Sequence, residues 1–327
     1  GCVVKDSWSD SHKTIFRILT AGLLHRFLSI ILRLRFKLFI RFNSNSLNLV
    51  IISQGANFDG LYLAKACLIK SIPYVLISNK AAECYWPPDN SLYWCRKIYS
   101  EARNVYFVSQ HNLRLTEQQL GQRLHHASLV RNPFMVPWEM SDDWPDFTEG
   151  MQLACVGRLY ISEKGQDILL NVLALDKWRE RKLFVTFYGS GPNKEGLESL
   201  AKFLELSSVR FAGFVQNVPS IWNKNHALIL PSRSEGLPLV IVEAMLQGRI
   251  AIVTNVAGNA EVINDGETGF VAHAVSVDAL DAALERAWNC RHDWQAMGRA
   301  ASMSIKNFVP QDPARIMADI LLSSSVN

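Results

Sequence analysis

Short runs of β-branched and aromatic residues alternate with helical stretches along this chain in two separate series, and an acidic stretch divides them. The first series has continuous apolar runs at 48–53 (NLVIIS), 73–78 (PYVLIS) and 104–109 (NVYFVS), with helical patterns at 60–70 and 113–124. Runs this apolar belong to strands covered on both faces, so the alternation predicts an α/β domain with a parallel sheet and helices on either side. Residues 140–150 (MSDDWPDFTEG) place Pro145 and Gly150 among acidic side chains and read as a linker. The second series begins afresh after it. Its strands fall at 152–156, 183–188, 209–211, 227–230 and 250–254, and its helices near 165–175, 194–204, 238–247 and 277–290. Two successive Rossmann-like units follow from this pattern, and 327 residues suffice for both.

Composition narrows the class. At 49% hydrophobic and 20% charged, the chain forms a core and is not disordered. A net charge of +4 is too small to imply nucleic acid as a partner. Residues 1–150 hold 17 basic and 12 acidic side chains and the remainder 17 and 18, so the basic excess belongs to the first half. The six cysteines (Cys2, Cys67, Cys84, Cys95, Cys155, Cys290) form no C-x-x-C and no cluster with His. They predict reduced thiols in a cytoplasmic protein and no zinc site. No uninterrupted apolar run approaches the ~20 residues of a membrane span, and residues 1–10 lack the basic start of a signal peptide.

Residues 11–58 contain no acidic side chain, while Lys13, Arg17, Arg26, Arg33, Arg35, Lys37 and Arg41 punctuate apolar residues at helical spacing. Residues 11–41 therefore have two readings. One is a basic amphipathic helix against an anionic membrane surface, which places the protein at the inner face of the membrane. The other is a domain helix packed on a sheet with its arginines in water.

Four segments follow predicted strands, at the carboxyl end of a parallel sheet where ligands bind. The first is PSRSEGLPLVIVEAMLQG at 231–248. Here Gly236 allows close backbone approach, and the amides of Gly236 and Leu237 stand at a helix start suited to an anion or a sugar oxygen. Glu235 and Glu243, eight residues apart, span the strand end and the helix face and can accept hydrogen bonds from hydroxyl pairs. A capping acid and a solvent-facing helix Glu is the plainer alternative. The second segment, GRLYISEKGQDILL at 157–170, brackets a loop with Arg158 and Lys164, a guanidinium fork and a mobile point charge suited to a diphosphate. Cations facing solvent are the alternative there. The third and fourth are the glycine turn YGSGP at 188–192 and VAGNAEVINDGETGFVA at 256–272, each ordinary turn chemistry when read alone.

Together these segments resemble the nucleotide-binding half of GT-B glycosyltransferases, in particular glycosyltransferase family 4. The family's E-x7-E motif matches Glu235 and Glu243 within P-S-x-x-E-G-L-P-L-x-x-x-E-A-M, and its V-G-R-L…K-G loop matches 156–165, here V-G-R-L-x-x-x-x-K-G. G-x-G-P matches 189–192, F-x-G matches 211–213 and D-G-x-T-G-F-V matches 265–271. The resemblance covers 151–310. In the first half it is carried by NVYFVS and VRNPF (130–134) alone.

The resemblance implies a GT-B fold of two Rossmann-like domains facing across a cleft. These would be an acceptor-side domain at 1–145, incomplete at its start, a nucleotide-sugar domain at 150–310, and a helix at 311–327 returning to the first domain. Family members open with a strand and glycine-rich loop, so roughly one βαβ piece is expected before Gly1, with residues 2–5 as the remnant of a strand. Where members carry a His after the strand 73–78, this chain has Asn79.

By the same resemblance, Arg158 and Lys164 neutralise the donor diphosphate, Glu235 holds a sugar hydroxyl beside the amides of Gly236 and Leu237, and Glu243 takes the ribose. Gly157 and Gly189 line the phosphate side, while Gly213, Phe214 and Val215 border the base. Glu235, Arg158 and Lys164 are then the catalytic set. No D-x-D occurs, which points away from the metal-dependent GT-A type and predicts no metal site. The implied reaction is retaining, metal-independent transfer from a UDP- or GDP-linked sugar to the hydroxyl of a glycan or lipid-linked acceptor, as in polysaccharide biosynthesis. No cofactor is implied beyond that donor. A truncated transferase serving as a nucleotide-sugar or partner-binding protein is the alternative, and a nucleotide-sugar epimerase a further one. An oxidoreductase fits least, because no G-x-G-x-x-G follows a strand.

Overall fold

The computed structural model describes residues 15–19, 47–141, 143–146 and 148–324. The chain divides into two units, one running up to Arg131 and resuming at Ala314, the other spanning Asn132–Pro313.

The first unit is built from β1 (Ile15–Leu19), β2 (Leu49–Gln54), α1 (Leu61–Ile69), β3 (Tyr74–Ser78), α2 (Asp89–Glu101), β4 (Asn104–Phe107), α3 (Gln110–Leu120) and β5 (Ala127–Leu129). The five strands make one parallel sheet in chain order. All six residues of β2 are buried: the apolar run Leu49–Ile52, as an inner strand covered on both faces requires, and the polar Ser53 and Gln54 at its carboxyl end. Val50, Ile52, Leu76 and Phe107 pack with Leu63, Ile98 and Tyr99 on one side of the sheet. The polar pattern of α3 starts where Ser109 caps it, its hydroxyl accepting from the Asn112 N–H at 3.2 Å, and ends at Gly121 in the left-handed conformation.

The helix read over 11–41 is corrected at Ile15–Leu19, which is a strand paired in parallel with Leu49–Ser53 of β2. IFRIL is a short apolar run, and such a run suits a buried strand as well as one face of a helix. The remainder of 11–41, and the proposed strand remnant at 2–5, lie outside the described residues. Helix α2 was not anticipated.

The second unit runs β6 (Met151–Val156), α4 (Ile161–Lys164), α5 (Gln166–Leu173), α6 (Asp176–Arg179), β7 (Leu183–Tyr188), α7 (Lys194–Phe203), β8 (Val209–Gly213), α8 (Pro219–Trp222), β9 (Ala227–Leu230), α9 (Leu239–Leu246), β10 (Ile250–Thr254), β11 (Gly269–Ala272), α10 (Val277–Asn289) and α11 (Trp294–Phe308). Its six strands are parallel in the order β11-β10-β9-β6-β7-β8. The first strand is thus central. The chain winds outward through β7 and β8, then returns to lay β9 against the free edge of β6, pairing Leu153 with Ala227 and Ala154 with Leu228. Loops leaving β6 and β9 depart in opposite senses, and the crevice between them is the switch point of a Rossmann sheet. Leu153, Val185, Phe187, Ile229 and Ile252 form the core with Leu169, Leu284 and the indoles of Trp178 and Trp294.

The helix read as one over 165–175 is preceded by α4 and interrupted at Gly165, whose φ is 61°. The stretch 256–272, read as a loop with a short helix start at Glu261, has a 3-10 turn there (Asn259–Val262) and ends in the edge strand β11, which was not read. The acidic stretch 140–150 lies inside the second unit. Arg249 Nη2 donates to the Asp143 carbonyl at 2.6 Å, and His226 Nε2 meets the Pro145 carbonyl at 3.1 Å. The last helix, α12 (Pro313–Ser324), belongs to the first unit from Ala314 on. There Met317, Ile320 and Leu321 pack with Leu49, Ile51, Val75 and Tyr106. Among the described residues no helix is long and apolar enough to cross a membrane.

Candidate functional site

At the switch point of the second sheet, the loop after β6 and the loop after β9 are tied together by backbone and side chain. The Glu163 carbonyl accepts from the N–H groups of Arg233 and Ser234 at 2.8 and 3.1 Å. The Arg233 guanidinium forks onto Asp167 at 2.6 and 2.8 Å and reaches the Ile161 carbonyl at 2.9 Å. Gly165 makes this closeness possible, because a Cβ there would run into the Pro231 carbonyl.

The single turn of α4 swings Lys164 back toward the sheet edge. Its Nζ donates to Glu235 Oε1 at 2.6 Å, and the Ser232 hydroxyl donates to the same oxygen at 2.6 Å. Glu235 is 6% exposed and the Lys164 side chain 20%. A carboxylate this far from water needs a cation and a hydroxyl to offset its lost hydration, and it has both. Arg158 is placed differently. Its guanidinium pairs with Glu163 at 2.8 Å and lies over the Tyr160 ring at 4.9 Å, with its side chain 57% exposed. The two cations predicted to act together thus leave one loop with separate carboxylate partners.

The loops after β6, β7 and β8 are laced side by side. Gly157 N–H donates to the Tyr188 carbonyl at 2.9 Å, Leu159 N–H to Ser190 at 3.0 Å and Gly189 N–H to Gly213 at 2.7 Å. A Cβ on Gly189 would collide with the Gly157 carbonyl. Beyond Gly213, Phe214 stands 77% exposed and Val215 is half-buried.

Glu243 sits on α9, whose sequence LVIVEAML is otherwise apolar. Its carboxylate is nearly buried, and Oε1 accepts from the Met135 N–H at 2.9 Å. Burial pushes its pKa up and the Met135 amide pulls it back down. One turn on, Gln247 donates to the Pro137 carbonyl at 2.9 Å. Ahead of α9, the Gly236 carbonyl accepts from Gly258 N–H at 2.8 Å. The amides of Gly236 and Leu237 donate to no backbone acceptor among the described residues.

The structure therefore joins Lys164 to Glu235 and laces the loops of Gly157, Gly189 and Gly213, while Arg158 and Glu243 have other partners. Ser232, Glu163 and Met135 were not singled out from the sequence. Ser232 lies within PSRSEG and could have been, whereas nothing in the sequence marks the amide of Met135. Asn79 donates from Nδ2 to Ser53 Oγ at 3.1 Å and to the Gln54 carbonyl at 2.9 Å, holding the carboxyl edge of the first sheet.

A profile of the family described as Glycosyl transferases group 1 matches residues 138–303, half of the chain. This chain belongs to the glycosyl transferases group 1. It is 31% identical over 139 residues to an uncharacterized glycosyltransferase of Haemophilus influenzae, covering 42% of this chain and 39% of that protein. It is 28% identical over 211 residues to the GDP-mannose-dependent alpha-(1-6)-phosphatidylinositol monomannoside mannosyltransferase of Mycolicibacterium smegmatis, covering 58% of this chain and 54% of that one. The chain thus spans less than two thirds of the length of either relative. Among solved structures it is similar to Anabaena Alr3699/HepE, crystallised in complex with UDP, with a TM-score of 0.73 at 18% identity over 88% of this chain and 82% of that one. The fold of this group 1 member is GT-B, made of two parallel α/β sheets.

Proposed function

We propose that this chain transfers a sugar from a nucleoside-diphosphate sugar to an acceptor hydroxyl, with retention at the anomeric carbon and without a metal ion. The observation that carries the reading is the Lys164–Glu235 pair at 2.6 Å, set where β6 and β9 part. An ammonium has three donors, so Lys164 can keep Glu235 and still give an N–H to a donor phosphate oxygen. Arg158, exposed on the same loop, exchanges Glu163 for the diphosphate and contributes a two-pronged contact. Glu235 then lies beside the sugar and accepts from one of its hydroxyls, with the amides of Gly236 and Leu237 close by. Glu243 takes the ribose, and Gly213, Phe214 and Val215 border the base. Gly157 and Gly189 let the backbone approach the phosphates.

The bond from the anomeric carbon to the diphosphate breaks as negative charge gathers on the leaving oxygen. Arg158 and Lys164 stabilise that charge in place of a metal ion. The acceptor oxygen bonds to the anomeric carbon on the same face, and its proton passes to a phosphate oxygen of the leaving group. UDP- and GDP-linked sugars are the donor classes favoured, since the Anabaena protein was crystallised with UDP and the mycolicibacterial one is named for GDP-mannose. Glycans and lipid-linked sugars are the acceptors favoured.

Calorimetric titration with UDP and with GDP tests the reading. Arg158→Ala and Lys164→Ala should each weaken the nucleotide that binds by at least about tenfold, the worth of one charge-assisted hydrogen bond. Their double variant should fall short of the product, because both act on one diphosphate. Unchanged binding in both single variants defeats the assignment.

A further inference from the structure

Side chains of the second unit grip the backbone of the segment by which the chain enters it. Glu243 accepts from Met135 N–H at 2.9 Å, Gln247 donates to Pro137 O at 2.9 Å, Arg249 to Asp143 O at 2.6 Å, and His226 Nε2 meets Pro145 O at 3.1 Å. Lys306 adds an ion pair to Glu139 at 2.9 Å. This strap begins at Met135, on the same carboxylate assigned above to the ribose.

We infer that the Met135 N–H is a positioning group of the nucleotide site, holding Oε1 of Glu243 so that Oε2 is presented to the donor's ribose hydroxyls. The inference rests on the function proposed above. Three observations support it. The Met135 side chain is 68% exposed, so what the residue gives the site is its backbone. Among the described residues Oε2 of Glu243 has no hydrogen-bond partner and is not one of the buried orphan atoms. The partner chosen is a neutral amide rather than a cation. A carboxylate accepts about four hydrogen bonds, so one amide steadies it and leaves capacity for a hydroxyl pair, where a fixed arginine would occupy both oxygens. Burial raises Glu243's proton affinity and this amide lowers it. The strap gripped by Gln247 fixes where the amide points.

The test is calorimetric titration of the whole chain with UDP and with GDP, from pH 4.5 to 8. Met135→Ala keeps the N–H and should bind within about twofold of the unaltered chain. Met135→Pro deletes the N–H and should weaken binding about tenfold at pH 7. It should also move the acid limb of the binding profile to higher pH, because the amide no longer opposes the effect of burial on Glu243. In a Glu243→Gln background Met135→Pro should cost less than about twofold and leave no limb to move. Should Met135→Pro fail to fold, a backbone ester at the same position, made by incorporating the α-hydroxy acid, deletes the N–H alone and is held to the same expectation. Unaltered affinity with an unmoved acid limb, in the proline variant or the ester, overturns the inference while leaving the proposed function intact. If neither UDP nor GDP binds the unaltered chain, the proposed function falls and this inference falls with it.

Discussion

Lys164 and Glu235 stand 71 residues apart in the chain, and their charged atoms meet at 2.6 Å. The two loops that carry them leave neighbouring strands of one sheet, and Gly165 lets those loops touch. The pair is mostly removed from water, with Ser232 completing the environment of the carboxylate.

Breaking one side of that pair should cost more than removing both. Lys164→Met leaves the Glu235 charge buried with only a hydroxyl, for about 2–3 kcal/mol of lost stability, below the ~3–5 kcal/mol of a fully buried pair because the lysine keeps some solvent contact. Lys164→Met with Glu235→Gln should recover most of it. Urea unfolding of both singles and the double gives the coupling, and strictly additive values would show the contact to be energetically idle.

The two glutamates should separate in kinetics. A group bridging ribose hydroxyls acts alike in ground and transition states, so Glu243→Ala should mainly raise the donor KM. Glu235 beside the breaking anomeric bond should appear in kcat. Glu235→Gln is expected to keep nucleoside-diphosphate affinity near that of the unaltered chain while turnover collapses. Equal weakening of free nucleotide by both substitutions would misplace Glu235.

Gly165→Ala should damage the site without touching a charge. Position 165 has φ 61°, and a Cβ would strike the Pro231 carbonyl. The loops must separate, costing about 2 kcal/mol or more in stability and weakening nucleotide binding in the same variant. A thermal midpoint unmoved from that of the unaltered chain would contradict the packing described.

Acid should loosen the second unit through His226. Nδ1 accepts from the Gln152 N–H at 2.9 Å, so the ring is neutral, with Nε2–H donating to Pro145 O. Burial holds its pKa below the usual histidine value, and the nearby Arg249 acts the same way, while the bond to Pro145 O and Asp146 oppose them. The unfolded chain then binds a proton more readily than the folded one. The contribution of His226 is fully present above about pH 6.5 and is lost as pH falls from there toward the lower folded value. His226→Asn, which can offer an acceptor to Gln152 but does not titrate, should flatten the slope of unfolding free energy between pH 6.5 and 5. An unchanged slope would assign the acid sensitivity elsewhere.

Much of this was legible in the residues. Apolar runs such as LVII and ALIL announce inner strands because burial on both faces favours apolar side chains at successive positions. The runs 157–170 and 231–248 fall at strand ends, where a parallel sheet presents its loops. Other elements were hidden for physical reasons. IFRIL fits strand and helix periods alike. Edge strands β5 and β11 are only three and four residues long, too short to show a period. Helix α2 is amphipathic but polar in its first turn, DNSL, after a loop bearing two prolines.

What the sequence by itself determined is the inner strands β2 to β4, β6, β7, β9 and β10, the loops at their carboxyl ends, and the spacing of Glu235 and Glu243, since all of these are written in neighbouring residues. The tertiary structure alone decided that Lys164 rather than Arg158 meets Glu235, that Ser232 joins them, and that Glu243 is held by a backbone amide 108 residues earlier in the chain. The reason is that a local pattern records which side chains leave water, whereas a partner depends on sheet order. Only the return of β9 to the free edge of β6 brings those loops within reach of each other.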